Sequence, residues 1–129
     1  PLLFSEMTLL TALRTAATAA LATDLMARQN SHILAIIGTG AQSEFQVQAC
    51  ARVRPITEVR YFDTDPVAME KFANNMRGYG LRLVAATSAR AAVEGADIVT
   101  VCTACKQHVD VIHSDWVRAG THINALGGD

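Results

Sequence analysis

The stretch ILAIIGTGAQS, residues 33–43, decides the fold of this 129-residue chain. It begins with five consecutive apolar residues, Ile33 to Ile37, which is typical of a strand buried on both faces of a parallel sheet. Gly38-Thr39-Gly40 follows at once, and the apolar spacing then predicts a helix from Ala41 to Val53. A strand, a glycine turn and a helix in this order are typical of a dinucleotide-binding unit.

Strand and helix patterns alternate along the rest of the chain. Further strands are predicted at Val59–Phe62, Leu81–Ala85, Ile98–Cys102 and His122–Leu126. Between them we expect a helix from Pro66 to Gly78 or Gly80 with Asp65 as its cap, a short helix from Ser88 to Gly95, and a turn or short helix at residues 115–117. This alternation predicts an α/β fold, a Rossmann-type doubly wound parallel sheet preceded by a long helix.

The long leading helix is predicted from Leu9 to Ala27, with Thr8 as a candidate N-cap. Its leucines recur at helical spacing, and we expect this face to be the buried one. The residues on that face are Leu10, Leu13, Ala17, Ala20, Leu21 and Leu25. Arg14 lies at the edge of the apolar stripe, where an arginine either extends out of an interface or points into a site.

Composition excludes several classes of protein. The chain is 50% hydrophobic and 18% charged, with a net charge of −1, so it is neither disordered nor suited to nucleic acid or an anionic membrane surface. No run reaches the roughly 18 apolar residues of a membrane helix. Three cysteines cannot form a complete disulfide framework, so a reducing compartment such as the cytoplasm is expected. The length predicts one domain, residues 1–129.

The glycine turn and an acidic residue beyond it predict a dinucleotide site. Gly38 allows a tight turn, Gly40 lets the backbone approach a pyrophosphate, and Ser43 replaces the third glycine of the usual fingerprint. Asp63 ends the second strand, where a carboxylate can accept both hydroxyls of an adenosine ribose. A 2′-phosphate there would meet a like charge, so NAD is favoured over NADP. Two alternatives stay open: Asp65 as the ribose ligand, or Asp63 as an ordinary turn residue.

Ligands of a doubly wound sheet bind outside the carboxyl ends of its strands. Four residues occupy such ends, and we expect them to converge on one crevice: Gly38, Asp63, Thr103 and Asp129. Asp129 follows two glycines and could instead be an ordinary polar turn residue.

Cys102-Thr103-Ala104-Cys105, with His108 and His113 beyond it, suggests a zinc or thiol–disulfide site as an alternative. Cys102 ends a predicted buried strand and no second cysteine pair exists, so we interpret it as a core cysteine followed by a loop and expect no metal. The other two histidines, His32 and His122, are predicted to be structural.

Three blocks of the sequence resemble the ornithine cyclodeaminase/μ-crystallin family: EMTLLTALRTAA at 6–17, GTGAQSEFQ at 38–46 and INALGGD at 123–129. The resemblance covers the whole chain, and the final aspartate is similar to that of the ornithine cyclodeaminase branch. It implies a homodimeric NAD enzyme that converts L-ornithine to L-proline and ammonia through hydride transfer to and from NAD. It also implies that residues 1–129 are the NAD(P)-binding domain and that residues 1–30 lead to a separate substrate and dimerisation domain.

The resemblance also implies residue roles. Ala41 and Gln42 would hold the pyrophosphate and Asp63 the adenosine ribose, Arg14 would bind substrate carboxylate or cofactor, and Asp129 would be the general acid/base. The remaining implied cofactor contacts are Thr103, Leu126, Gly127 and Gly128. The fragment alone is expected to be inactive, because the family's other carboxylate-binding residues would precede Pro1. The alternatives are a ketimine reductase or alanine-type dehydrogenase of the same family, and a non-catalytic, μ-crystallin-like NAD-binding protein.

Overall fold

A computed structural model describes residues 7–104 and 110–126. The helices are α1 (Thr8–Met26), α2 (Ser43–Val53), α3 (Pro66–Asn75) and α4 (Ala89–Val93), and a 3₁₀ turn spans Ser114–Trp116. The strands are β1 (Ile33–Ile37), β2 (Glu58–Phe62), β3 (Arg82–Ala85), β4 (Ile98–Val101) and β5 (His122–Ala125). Every predicted element is present, with ends that differ by a few residues at most. The start of α2 moves from Ala41 to Ser43 because Ala41 and Gln42 form a turn.

The five strands form one parallel sheet in the order β3-β2-β1-β4-β5, which confirms the predicted doubly wound architecture. Chain order reverses between β1 and β4, and such a switch point is where open α/β sheets bind ligands. Ile37, the last residue of β1, pairs with Phe62 of β2 on one side and Val101 of β4 on the other. The carboxyl ends of the three central strands therefore lie level at one edge.

The sheet separates two apolar layers, as the continuous apolar run of β1 predicts. Leu34 and Ile36 are fully buried in the layer beneath α2 and α3, where the rings of Tyr61 and Phe72 lie 4.9 Å apart. The alternate residues of β1 are buried in the opposite layer, which contains α4 and the 3₁₀ turn. Burial on both faces fixes the register of β1, because a shift by one residue would exchange the two sets.

The buried face of α1 is not the one predicted. Ala12, Ala16 and Ala19 are buried with Thr23 against α2 and β5, whereas the leucines are exposed: Leu10 51%, Leu13 50%, Leu21 61% and Leu25 76%. Methyl side chains let two helix axes approach closely, so the small face packs within the domain and the leucines point away from it. The predicted Thr8 cap is also wrong, because Met7 takes the N-cap position and makes no side-chain capping bond. None of the helices in the described ranges combines the length and hydropathy needed to cross a bilayer.

A buried arginine fixes the end of α1. The Arg54 side chain is 1% exposed, and its guanidinium donates to the carbonyls of Thr23 (3.0 Å), Asp24 (2.7 Å), Ala27 (2.9 Å) and Arg28 (3.0 Å). It also donates to the Asp24 carboxylate over 2.9 Å. These carbonyls belong to the last turn of the helix and the residues after it, where acceptors run short of partners within the helix; the Thr23 carbonyl also accepts the Ala27 N–H over 2.9 Å. One side chain thus caps α1 and attaches it to the end of α2.

Candidate cofactor site

Gly38 is required at its position for two reasons. Its φ of +94° lies in the left-handed region that side chains disfavour. A Cβ there would also lie 2.9 Å from the Cys102 carbonyl carbon and 2.9 Å from the Thr103 nitrogen, which is closer than backbone atoms tolerate. The Gly38 N–H donates to the Phe62 carbonyl over 2.9 Å, so this residue joins the ends of β1, β2 and β4.

Gly40 faces open space instead. A Cβ added there would meet no atom of the described residues within 4 Å, which leaves the backbone accessible from the crevice side. Ser43, the residue in place of the third glycine, is fully buried and its hydroxyl donates to the Gly40 carbonyl over 2.7 Å. Gln42 holds the N-cap position of α2 without a side-chain capping bond. An open backbone at a helix N-terminus suits a phosphate, so the residues present fit the pyrophosphate of a dinucleotide.

Asp63 reaches the glycine turn from the end of β2. Its Oδ2 accepts the Thr39 N–H over 2.6 Å and the Thr39 hydroxyl over 3.1 Å, while Oδ1 accepts the Asp65 N–H over 3.0 Å. Partial burial acts to raise the pKa of Asp63, but these hydrogen bonds outweigh it, and the pKa is lowered. The carboxylate is therefore ionised at neutral pH and able to accept hydrogen bonds from ribose hydroxyls.

The alternative carboxylate, Asp65, is engaged elsewhere. Its Oδ1 accepts the Val67 N–H over 2.9 Å, and Pro66 follows as the first residue of α3. This is the predicted cap, and it holds the exposed Asp65 side chain to its own helix. Of the two aspartates, the structure brings Asp63 to the glycine turn.

The remaining predicted site residues divide into two groups. Thr103 follows β4 beside Gly38, and Leu126 follows β5 with its N–H donated to the Val101 carbonyl over 2.9 Å. Both therefore lie at the strand edge that carries Asp63. Gly127, Gly128 and Asp129 lie outside the described residues, so the role of Asp129 stays a prediction.

Arg14 does not lie on the side of α1 that packs against α2 and β5. At 100° per residue it is 200° from buried Ala12, and it is exposed among Leu10 and Leu21. The structure therefore places Arg14 on the leucine face and not at the glycine turn.

A groove of about 620 Å³ lies between the first turns of α1 and α2. Its lining is mostly apolar and consists of Met7, Thr8, Leu9, Thr11, Ala12, Ala41, Gln42 and Phe45. Among the described residues, the buried Gln42 Oε1 atom has no hydrogen-bond partner, and neither does either amide atom of the fully buried Gln46. Buried amides normally find partners, so these two glutamines are unusual. No pattern in the sequence singled out Gln46, which lies four residues after Gln42.

A buried polar network links β5 to the C-terminal part of α1. Asn124 Nδ2 donates to the Thr23 hydroxyl over 2.9 Å, and His122 Nε2 lies 3.0 Å from Asn124 Oδ1. These bonds attach β5 to α1, so His122 has the structural place that the sequence predicted. Asn124 was not predicted as part of this network, because its bond to Thr23 depends on how α1 packs against β5.

Cys102 lacks the properties of a reactive thiol. Burial raises its pKa to about 12, with a further contribution from the negative charge of Asp63, so the thiol is protonated at neutral pH. Its Sγ donates to the Gly38 carbonyl over 3.3 Å. The predicted partners Cys105 and His108 lie outside the described residues. Within the described parts of the chain, no group of three histidine, cysteine or acidic side chains could hold a metal ion.

Comparisons with known proteins agree with this geometry. A sequence model of the ornithine cyclodeaminase/mu-crystallin family matches residues 1–129. The chain is 53% identical to an ornithine cyclodeaminase of Agrobacterium tumefaciens (strain Ach5) and 49% identical to one of Brucella abortus biovar 1 (strain 9-941). Both matches cover 100% of this chain and 36% of the relative. The chain thus spans about a third of the length of these relatives.

Solved structures show the same fold. The Thermococcus litoralis Δ1-pyrroline-2-carboxylate reductase in complex with NADH and L-proline has a TM-score of 0.89 and 38% identity, over 95% of this chain and 38% of that one. A lysine cyclodeaminase that recognises L-lysine, L-ornithine and L-2,4-diaminobutyric acid has a TM-score of 0.86 and 37% identity, over 95% and 36%. An archaeal alanine dehydrogenase dimer with bound NAD has a TM-score of 0.83 and 34% identity, over 92% and 36%. Two of these relatives confirm the predicted cofactor, since the reductase was solved with NADH and the alanine dehydrogenase with NAD. This chain belongs to the ornithine cyclodeaminase/mu-crystallin family.

Proposed function

We propose that this chain is the NAD-binding domain of an enzyme that converts L-ornithine to L-proline and ammonia. The proposal that the chain binds NAD depends on the ionised Asp63 carboxylate, which Thr39 holds against the glycine turn. The proposal that the substrate is L-ornithine is supported by the similarity of the whole chain to two ornithine cyclodeaminases, at 53% and 49% identity.

The chain's own residues would each contribute to binding or proton transfer. Gly40 and the start of α2 leave room for the pyrophosphate, and Asp63 accepts the hydroxyls of the adenosine ribose. When bound, NAD supplies a reversible acceptor for the hydride of the substrate Cα. Asp129 would take a proton from the substrate amine before hydride transfer and return it to the nitrogen that leaves as ammonia.

We further propose that the leucine face of α1 packs against the rest of a longer protein. This face comprises Leu10, Leu13, Leu21 and Leu25, all at least half exposed, with Arg14 among them. Relatives in which the matched region is 36% of the length have ample chain to cover such a face. Residues 1–30 would then connect this domain to a substrate and dimerisation domain, and Arg14 would face the substrate between the two. The full-length protein is proposed to be a homodimer.

Calorimetric titration tests the cofactor half. We expect the protein to bind NAD in preference to NADP, because the Asp63 carboxylate would repel a 2′-phosphate. Equal affinity for the two dinucleotides would contradict this assignment of Asp63.

A second function within the family is supported by fold similarity. A pyrroline-2-carboxylate reductase and an alanine dehydrogenase both resemble this chain, at TM-scores of 0.89 and 0.83. Such enzymes change the net amount of NADH, whereas a cyclodeaminase regenerates NAD in each cycle.

The test incubates the full-length protein with L-ornithine and NAD and follows absorbance at 340 nm together with proline. We expect proline without a proportional absorbance change, whereas absorbance that rises with product would favour a dehydrogenase. NAD binding without turnover of ornithine or of the alternative substrates would favour a non-catalytic protein.

A further inference from the structure

The hydroxyl of Thr39 donates a hydrogen bond to Asp63, the carboxylate that we expect to bind the adenosine ribose. Thr39 is 4% exposed, and two of its donors reach one oxygen: the backbone N–H lies 2.6 Å from Asp63 Oδ2 and the side-chain Oγ1 lies 3.1 Å from it. The second oxygen, Oδ1, accepts the Asp65 N–H over 3.0 Å. The backbone donor is fixed by the turn between Gly38 and Gly40, whereas the hydroxyl can rotate about a single bond.

Acceptor capacity makes this arrangement informative. An ionised carboxylate offers about four acceptor positions, two on each oxygen. The two donors of Thr39 fill Oδ2, the Asp65 N–H donates to Oδ1, and the Thr64 N–H is a further backbone donor to the carboxylate. A ribose that donates through both hydroxyls needs one position on each oxygen, so one donor must leave Oδ2. The hydroxyl is the donor that can leave without changing the turn.

We propose that the Thr39 hydroxyl is a stand-in for a ribose hydroxyl: it occupies Asp63 Oδ2 before the dinucleotide binds and yields that oxygen to the ribose. This inference rests on the proposed NAD-binding function and adds to it a residue that sets cofactor affinity. Thr39 acts through Asp63 and is therefore a positioning residue. Because the exchange replaces one hydroxyl donor with another, the carboxylate keeps its hydrogen bonds in both states.

Among the described residues, the titratable side chains near Asp63 include Asp65, whose carboxylate caps α3, and Cys102, whose partly buried thiol is protonated. Every donor that the described residues supply to Asp63 is uncharged. Removal of the Thr39 hydroxyl therefore changes the competition for Oδ2 and adds or removes no charge.

The test compares the full-length wild type with Thr39→Val, which keeps the side-chain shape, and Thr39→Ser, which keeps the hydroxyl. Each protein is titrated by calorimetry with NAD and with NAD analogues that lack the 2′- or the 3′-hydroxyl of the adenosine ribose. Since a competing donor is removed, we expect Thr39→Val to bind NAD about two- to tenfold more tightly. The gain should vanish for the analogue without the hydroxyl that faces Oδ2, and Thr39→Ser should bind like the wild type. In an Asp63→Ala background, Thr39→Val should have no effect.

Several results would overturn the proposal. Unchanged or weaker NAD binding by Thr39→Val would show that the hydroxyl does not compete with the ribose. An equal gain for NAD and both deoxy analogues, or a gain that persists without Asp63, would place the effect elsewhere. Thermal denaturation checks folding, and Thr39→Ala carries the same test if the valine variant does not fold. A wild type that binds no NAD rejects the proposed function as well, whereas normal wild-type binding with no change in Thr39→Val rejects the stand-in role alone.

Discussion

Gly38 packs against neighbouring backbone, whereas Gly40 of the same turn faces open space. Alanine substitutions at the two positions should therefore have different effects on stability. Gly38→Ala forces a Cβ to within 2.9 Å of the Cys102 and Thr103 backbone at a φ of +94°. We expect a loss of about 2–4 kcal/mol in the free energy of unfolding, from left-handed strain and overpacking together. The Cβ of Gly40→Ala has no neighbour within 4 Å in the part of the chain that the structure describes, so this substitution should change stability by less than about 1 kcal/mol.

For NAD affinity we expect the opposite order, with Gly40→Ala having the larger effect of the two substitutions. The Cβ of Gly40→Ala enters the space where we place the pyrophosphate, so NAD affinity should fall by about tenfold or more while folding is normal. Urea denaturation and NAD titration of both variants measure the two effects. If Gly40→Ala binds NAD like the wild type, the pyrophosphate does not lie against that backbone.

At the residue scale, sequence spacing identified the glycine turn and the acid because both depend on chain order alone. Gly38 and Asp63 end adjacent parallel strands, so their proximity follows from strand pairing. The bond from the Thr39 hydroxyl to Asp63 depends on one side-chain rotamer, which no pattern in the sequence encodes. Gln46 was missed for a related reason, since its burial depends on the approach of α1.

At the scale of elements, the attachment of α1 depends on Arg54. Replacement by methionine keeps much of the volume but removes the guanidinium donor from the Asp24 and Ala27 carbonyls, whereas the Thr23 carbonyl keeps the Ala27 N–H. We expect Arg54→Met to lose about 3 kcal/mol or more of unfolding free energy, at roughly 1–3 kcal/mol for each unsatisfied buried group. Hydrogen exchange should accelerate first in the last turn of α1. Exposed Arg52 on α2 is the matched control, and Arg52→Met should be nearly neutral.

A second link between elements predicts sensitivity to acid. Asp97 precedes β4, and its carboxylate accepts the N–H groups of His32 (2.9 Å) and Ile33 (3.1 Å) and the guanidinium groups of Arg28 (3.2 Å) and Arg118 (2.6 Å). Burial acts to raise the pKa of Asp97, but the backbone donors and Arg118 outweigh it, and the pKa is lowered. A lowered folded-state pKa stabilises the protein above the unfolded-state pKa, and this contribution is lost as pH falls through the folded-state pKa.

Asp97→Asn should therefore cost about 1–3 kcal/mol at neutral pH, because it removes a charged acceptor of four hydrogen bonds. The difference from the wild type should shrink as the pH falls below the ordinary aspartate pKa and be smallest below the lowered folded-state pKa, where the wild-type carboxyl is also neutral. Urea denaturation at a series of pH values measures this. A difference that is the same at every pH would show that the ionised form of Asp97 is not the stabilising one.

The elements were predicted more reliably than their orientation. Helical spacing located α1 correctly but assigned burial to its leucines, since larger apolar side chains release more free energy when buried. The domain instead buries Ala12, Ala16 and Ala19, which allow close packing on α2. A helix with a leucine face and an alanine face can bury either, and the choice depends on what else covers it. Sequence periodicity within one helix does not contain that information.

At the scale of the whole molecule, the fold followed from the sequence because strand and helix patterns alternate and each strand is short. The sheet order then brings the predicted cofactor residues to the carboxyl edge of β1, β2 and β4. The substrate side of the site did not follow in the same way. Arg14 points away from this edge with the leucine face, so its role depends on how a second domain covers α1.

The last prediction concerns the proton transfers of the complete enzyme. Loss of a hydride from Cα requires the substrate amine to lose a proton, and departure of ammonia later requires a proton at nitrogen. Asp129 comes three residues after Leu126, which lies at the edge that carries Asp63 and Thr103. We therefore expect Asp129→Asn in the full-length protein to lower turnover of ornithine by at least ~10², the usual contribution of a general acid/base, with little change in NAD affinity.

The matched control is Asp115→Asn, since Asp115 lies in the exposed 3₁₀ turn beyond β4 and should tolerate the change. Turnover of Asp129→Asn within a few-fold of the wild type would leave Asp129 as a turn residue and move the acid/base role to another group.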